Sequence, residues 1–485
     1  MKKEFIDAIA SKLSGRSLVV ASAREPYAHS YEGDEIVLKK NSGGVVTALD
    51  PLMKALKGSW VAFGSGEADR EAVNAKNEFK VETREGGYTL KRVFLEKGLE
   101  DGFLNACNGA IWPLSHMVFI RPAFVDEEWE AYKQANRQMA SAIAEVCGDD
   151  DVVWINDYQL ALVAGFLKKL KPKVTTAFFW HIPWPSASAF KVFPWADEFL
   201  ESLLAYDIIG FHTQYYAANF LNSVDSSLES KVDRASFSIQ YQGSITEVTS
   251  SPISVDYDGI REKVKGMSAE EANAVLKKYG VKKGAFAIGV DRMDYTKGIR
   301  EKILAVDFLL KKNGEYKGKF TLLQIASPTR LHIQEYQQAA KEAAEAAEDV
   351  NWEHSDGKWK PVVFLNEFAD YEEILALYSA ASFCMVNSLH DGMNLVCKEY
   401  VSASEDGALV LSKFTGAALE LNGSLLVNPY SLSDIASAME SALKMDKSER
   451  NARMEKMREE VRTNDVFHWA SKFVSEIEKV LRRKG

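Results

Sequence analysis

Two cations, Arg292 and Lys297, stand in "GVDRMDYTKG" (289–298), where an apolar run gives way to a helical pattern. A guanidinium fork and an ammonium point charge beside the free amides of a helix start suit a diphosphate. The same residues also suit a solvated turn in which Asp291 and Asp294 pair with the two cations. A second stretch, "HDGMNLVCKEY" (390–400), places the turn pair Asp391-Gly392 just before Asn394, a residue fitted to a loop or cap. If a helix starts near Asn394, its outward amides can bind hydroxyls or phosphate. Glu399 would then project from the first turns, and a carboxylate can accept two hydrogen bonds at once, as the vicinal diol of a ribose requires. On that reading a nucleotide-sugar lies with its ribose at Glu399 and its sugar at Asp391. A capped helix with a salt-bridged Glu399 accounts for the spacing equally well.

Weaker signals lie elsewhere. His181 ends the apolar run of "FFWHIPWPS" (178–186), and Asp157 follows "VVWIN". Each suits either chemistry or a hydrogen-bonded structural place. The Gly43-Gly44 pair of "SGGVV" (42–46) would let a backbone approach a phosphate, or simply form a loop. HExxH, GxSxG and P-loop patterns are missing, and the eight histidines show no metal-ligand spacing. Zinc enzymes, kinases and hydrolases of those types therefore lose ground.

The elements that must position these groups alternate. Apolar runs at 17–21, 151–157, 175–183 and 206–213 form a first block, and those at 286–290, 320–326, 361–365, 382–387 and 408–412 form a second. Continuous rather than alternating apolarity predicts strands buried on both faces, as in parallel sheets. Helical patterns at 268–279, 299–312, 334–348 and 371–380 separate the later strands. The chain therefore reads as α/β, with one domain over 1–250 and another over 251–455. A terminal helical segment over 456–485 carries an apolar stripe of Trp469, Phe473 and Ile477 and is expected to pack back on the first domain. The polar clusters sit after strands, where open α/β sheets bind ligands, which implies a cleft between two domains.

Composition narrows the partners. The 485 residues carry a net charge of −10, against a broad basic face for nucleic acid. Among the apolar runs none approaches membrane-spanning length, and the first residues read as a surface helix. Four cysteines without paired spacing indicate neither a disulfide framework nor a zinc site, and point to a reducing cytoplasm.

Taken together, "SGGVVTALDPLM", "NGAIWPL", "VWINDYQL", "FFWHIPWPS", "GVDRMDYTKG", "QIASPTR", "HDGMNLVCKEYV" and "VLSKFTGAALEL" resemble, in order, the trehalose-6-phosphate synthase family, glycosyltransferase family 20. The resemblance implies a GT-B fold: two facing Rossmann-like domains, with the acceptor on the first and the nucleotide-sugar on the second. It implies transfer of glucose from UDP-glucose to glucose 6-phosphate with retention, without a metal, a cofactor or a covalent intermediate. By the same resemblance Arg292 and Lys297 grip the diphosphate, Glu399 the ribose, and Leu395 makes an adjacent backbone contact. Asp391, Met393 and Asn394 surround the donor sugar, with Asp391 on its hydroxyls. His181 lies near the sugar's C6 hydroxyl, and Gly43 closes over the diphosphate. His181, Asp391, Arg292 and Lys297 form the catalytic set. Arg24 and Arg330 hold the acceptor phosphate, and Trp112 and Asp157 its sugar. A cytoplasmic homo-oligomer is expected, binding neither membrane nor nucleic acid, and the length corresponds to one synthase unit without a fused phosphatase.

Two positions depart from the family pattern. Phe103 stands where a tyrosine is usual, and "SAR" (22–24) replaces "SNR". Glycerol 3-phosphate is accordingly carried as a rival acceptor, and a non-catalytic sugar-phosphate sensor as a rival role.

Overall fold

The computed structural model describes residues 2–41, 44–83, 86–283 and 286–484. The chain divides into unit 1, Met1–Ile253 with Val466–Gly485, and unit 2, Ser254–Asp465.

Unit 1 contains strands β1 (Leu18–Arg24), β2 (Tyr27–Glu32), β3 (Glu35–Lys40), β4 (Ser59–Phe63), β5 (Glu78–Thr83), β6 (Gly86–Val93), β7 (Val152–Asn156), β8 (Thr175–Phe179), β9 (Ile208–Phe211), β10 (Lys231–Asp233), β11 (Ser238–Tyr241) and β12 (Ser244–Ser250). Ten of them form one sheet in the order β10-β11-β12-β9-β8-β7-β1-β4-β6-β5, and β2 and β3 form a separate hairpin. The centre of the sheet is parallel, and its margins (β5, β10, β11) run antiparallel. Every residue of β7, β8 and β9 is buried, as continuous apolar runs covered on both faces require.

The chain passes from β1 outward to β4 and β6, then returns to β7 on the other side of β1. That reversal opens a crevice at the carboxyl ends of β1 and β7, the usual ligand position in such sheets. The helix Val466–Lys484 closes this unit from behind. Its Trp469 and Phe473 rings pack 5.3 and 4.9 Å from Trp154 of β7. The expected boundary at 456 falls inside the helix Lys447–Thr463, which stays with unit 2 and buries Met454, Met457 and Val461 there. The break comes at Asn464-Asp465, after which the Trp469/Phe473/Ile477 stripe belongs to unit 1.

Unit 2 holds β13 (Phe286–Arg292), β14 (Thr321–Ser327), β15 (Val362–Leu365), β16 (Phe383–Val386), β17 (Ala408–Ser412) and β18 (Leu425–Val427). They form an all-parallel sheet in the order β15-β14-β13-β16-β17-β18. The reversal here lies between β13 and β16. The fold is α/β with two Rossmann-like units. All four cysteines are buried and free. Among the described residues no helix is long and apolar enough to cross a membrane.

Candidate active site

At the β13/β16 reversal of unit 2, three adjacent strands deliver cations and carboxylates. β13 ends in Arg292, and a short turn over Tyr295–Lys297 leads through Gly298 into the helix Ile299–Lys312. Gly298 has φ +59°, and a Cβ there would meet the Asn387 carbonyl oxygen at 2.3 Å. Only glycine lets β13's turn pass so close to the end of β16.

Asp294 organises the cations. Its side chain is fully buried, and Oδ1 accepts from the Thr296 amide (3.0 Å) and hydroxyl (2.9 Å). Oδ2 faces Arg292 at 3.6 Å and Arg330 at 3.8 Å. Burial alone would push this carboxyl up, but Arg292, Arg330 and Lys297 together hold it below its ordinary value. One ionised carboxylate thus faces two arginines and feels the charge of Lys297. Sequence analysis set Arg330 with the acceptor and Arg292 with the donor; the structure gathers both around Asp294. The sequence offered Asp294 only as a local ion-pair partner, since nothing in its spacing shows that it is buried.

Lys297 is itself buried, at 8% exposure, and its Nζ lies 2.5 Å from Asp391 Oδ2. That oxygen also accepts from Ser388 Oγ and Asn394 Nδ2, each at 3.2 Å. Asn394 begins the helix Leu395–Ala403 with φ +74° and caps it by accepting from the Cys397 amide at 3.2 Å. Met393 is buried, and Leu395 is the first helical residue. The helix that the sequence allowed near Asn394 therefore forms, with Asn394 as its cap. Glu399 follows one turn on. It keeps part of its surface open, yet loss of water contact pushes its carboxyl up to about 7. Among the described residues no donor bonds to it, so the salt-bridged alternative is not what the structure contains.

In unit 1 the carboxyl ends of neighbouring β1, β7 and β8 carry Arg24, Asp157 and His181. Arg24 is exposed. Asp157 has φ +73° and ψ 163°, a conformation nearly reserved for glycine. Its Oδ1 accepts from the Tyr158 amide at 2.9 Å and the His181 amide at 3.1 Å, which ties the ends of β7 and β8 together.

His181 Nε2 lies 3.2 Å from Asn156 Oδ1. Asn156 Nδ2 donates to the Ala21 carbonyl, so its Oδ1 is the acceptor. Nε2 therefore carries the proton and Nδ1 presents a lone pair. Burial first, then His212 at 5.3 Å between ring centroids, depresses the His181 pKa well below its ordinary value. The ring is neutral and can accept from a sugar hydroxyl. Asn156 and His212 were not singled out from the sequence, and Trp469, whose ring lies 6.0 Å from His181, was read there only as part of an apolar stripe. Asn156 was legible as the polar residue closing an apolar strand; the other two are brought in by the fold.

Trp112 follows a π-helical turn over Ala106–Ile111 and packs 4.0 Å from His116 and 5.9 Å from Tyr158. Phe103 is buried between Phe63 (5.2 Å) and Tyr132 (5.9 Å), an aromatic wall to which it brings no hydroxyl. Gly43 lies outside the described residues. Among those described, one cluster could hold a metal ion: Asp307, Glu353 and His354, none of them a site residue. Lys311 already pairs with Asp307 and Glu353 there, at 3.0 and 2.8 Å.

The strain at Asp157 gives a direct test. Asp157→Ala removes two hydrogen bonds and keeps the strained backbone. Asp157→Gly removes the same bonds and relieves a strain of about 1–3 kcal/mol. The glycine variant is expected to be the more stable by about 1–2 kcal/mol in urea unfolding, the reverse of the ordinary order. An alanine variant at least as stable as the glycine one would show that no strain is held there.

Cations around a buried carboxylate on one Rossmann-like unit, and an arginine, a carboxylate and a neutral histidine on the other, define a nucleotide-sugar-dependent glycosyltransferase. The sequence profile of glycosyltransferase family 20 matches residues 16–479. The UDP-forming α,α-trehalose-phosphate synthase of Emericella nidulans is 34% identical over 91% of this chain and 87% of its own. That of Candida albicans is 32% identical over 98% and 99%. Among solved structures, the Escherichia coli protein bound with UDP-2-fluoro glucose superposes with a TM-score of 0.85 at 29% identity, covering 95% of this chain and 99% of that one. A Burkholderia xenovorans synthase in complex with glucose-6-phosphate gives 0.83 at 28% identity, over 95% and 99%. The chain belongs to glycosyltransferase family 20.

Proposed function

We propose that this chain transfers glucose from UDP-glucose to glucose 6-phosphate with retention of configuration, giving α,α-trehalose 6-phosphate and UDP. The observation that carries the reading is the set Arg292, Lys297 and Arg330 around buried Asp294, with Asp391 and the amides of the helix at Leu395 beside it. A leaving nucleoside diphosphate gains negative charge in the transition state, and fixed cations stabilise that charge more than the ground state. The reading calls for no metal or cofactor, because these side chains supply the charge.

Unit 2 takes the donor: Arg292 and Lys297 the diphosphate, Glu399 the ribose, and Asp391, Met393 and Asn394 the glucose. The acceptor contacts in unit 1 are Arg24, Trp112 and Asp157, and the one in unit 2 is Arg330. His181 Nδ1 accepts from a donor-sugar hydroxyl. Attack comes on the face that the diphosphate leaves, with the departing phosphate as base, and calls for no second carboxylate as nucleophile. A cytoplasmic homo-oligomer completes the reading.

Glycerol 3-phosphate is the second acceptor considered, because Phe103 lines an aromatic wall without a hydroxyl. An acceptor panel at constant UDP-glucose, read by UDP release and product mass, tests both. Glucose 6-phosphate is expected to give a kcat/KM at least about tenfold above glycerol 3-phosphate, as the loss of a ring's worth of contacts implies. The reverse order would overturn the acceptor assignment, and no turnover with any sugar phosphate would favour the sensor.

A further inference from the structure

Directly behind Arg24 the chain turns inward, and Glu25 is fully buried. Its Oε2 accepts from Arg92 Nε at 2.7 Å, and its Oε1 accepts from the Ser65 amide at 2.9 Å and hydroxyl at 3.1 Å. Arg92, on β6, is 1% exposed. It also donates to the Tyr27 carbonyl at 3.1 Å and pairs with Asp69 Oδ1 at 2.8 Å. Asp69 in turn accepts from the Gly66 amide at 2.6 Å, the His29 amide at 2.7 Å and His29 Nδ1 at 3.2 Å. One guanidinium thus staples the segment after β1 to the turn at 64–69. None of these four side chains enters the chemistry described above.

We propose that the buried Glu25–Arg92–Asp69–His29 cluster positions Arg24 for the acceptor phosphate and that protonation of Glu25 tunes acceptor affinity. This rests on the acceptor reading of Arg24. The charge count gives the second half. Arg92 neutralises one carboxylate, and two share the space. His29 does not supply a second positive charge: burial first, then Arg92, depresses its pKa. Burial pushes Asp69 up, but the contact with Glu25, then the amides of His29 and Gly66, then Arg92 hold it below its ordinary value. Glu25 keeps the proton: burial, then the bond to Asp69, pushes it up to about 7. The titratable and charged groups facing Glu25 are Arg92 from β6, Asp69 from the 64–69 turn, His29 from β2 and its chain neighbour Arg24. Above about pH 7 an uncompensated buried carboxylate stands one residue from Arg24 and opposes an incoming phosphate.

Glu25→Gln keeps an oxygen for Arg92 Nε and removes the negative charge, and so imitates the neutral state at every pH. The wild-type acceptor KM, divided by that of Glu25→Gln, is expected to rise about fivefold between about pH 6 and pH 8.5, with kcat and the donor KM unmoved. The division cancels the titration of the acceptor phosphate itself. Arg92→Lys keeps the charge, loses the forked staple, and is expected to raise the acceptor KM about tenfold with the donor KM unchanged. A flat ratio across the pH range would remove the protonation role. Arg92→Lys raising both KM values alike would reduce the cluster to ordinary scaffolding. If Arg92→Lys does not fold, the Glu25→Gln profile alone decides. Arg24→Ala separates the two levels: an unchanged acceptor KM there would sink the acceptor reading itself. A raised one with flat results for Glu25 and Arg92 would sink only this inference.

Discussion

Lys297→Met is expected to lower kcat/KM by about a thousandfold, the loss typical of removing a fixed transition-state charge partner. Lys297 is held in place before any ligand arrives, with its ammonium 2.5 Å from Asp391. The charge that meets a developing diphosphate is therefore already oriented and costs no reorganisation during the reaction. The letters alone left a solvated turn open for both cations, and replacing a solvated cation costs little folded stability. The structure corrects that for Lys297, whose side chain is only 11% exposed. Removing it takes the counter-charge from Asp391, so a loss of about 1–3 kcal/mol in unfolding free energy should accompany the kinetic defect.

Arg292→Ala provides the contrast. Its side chain is 45% exposed, and Asp294 retains Arg330, Lys297 and Thr296. Stability should change by less than about 1 kcal/mol while kcat/KM falls by about two to three orders of magnitude. Urea unfolding and steady-state kinetics on both variants decide the matter. Equal stability losses with small kinetic effects would contradict a diphosphate role for either cation.

Much of this site was legible because parallel α/β sheets write themselves plainly into sequence. The buried runs at β1, β7, β8, β9, β13, β14, β16 and β17 are continuous, and a polar residue follows each at the ligand-facing end. The helices Ile299–Lys312 and Tyr371–Ala380 were read with their observed bounds. The strands β4, β6 and β12 stayed hidden although they pair parallel, and so did the sheet's margins. β5, β10 and β11 lie at the sheet margin, mix exposed with buried positions, and carry no uninterrupted apolar run. Burial of charge was hidden too. Asp294, Lys302 with Asp291, and the Arg92 cluster read as surface polarity along the chain, because only the fold supplies their partners. Strain was equally invisible: nothing about the letters at Asp157, Arg330 or Asn394 announces φ of +73°, +50° and +74°. That three candidate residues share this unusual backbone is itself an argument that the two sites hold side chains where the fold alone would not put them.

Glu399→Gln is expected to weaken donor binding about a hundredfold, as loss of two hydrogen bonds to a charged acceptor implies. It is also expected to change the pH dependence of binding, which is the sharper test. In the ligand-free chain burial pushes the Glu399 carboxyl up to about 7. A ribose diol donating two hydrogen bonds favours the ionised form and lowers that value in the complex. Binding must then release a proton below pH 7, so affinity rises with pH up to about 7 and levels off above it. Uridine is the probe, since it carries the ribose without a phosphate that titrates in the same range. Its dissociation constant should fall by up to about tenfold per pH unit in the rising limb for the wild type, and stay flat for Glu399→Gln. The stability of the ligand-free chain has the opposite sign. A carboxyl whose folded pKa is raised contributes a penalty that grows as pH climbs from the unfolded value of 4.5 to about 7. Relative to wild type, Glu399→Gln should therefore gain stability across that window while losing its ligand. A variant that retained the wild-type pH slope for uridine would place the ribose elsewhere.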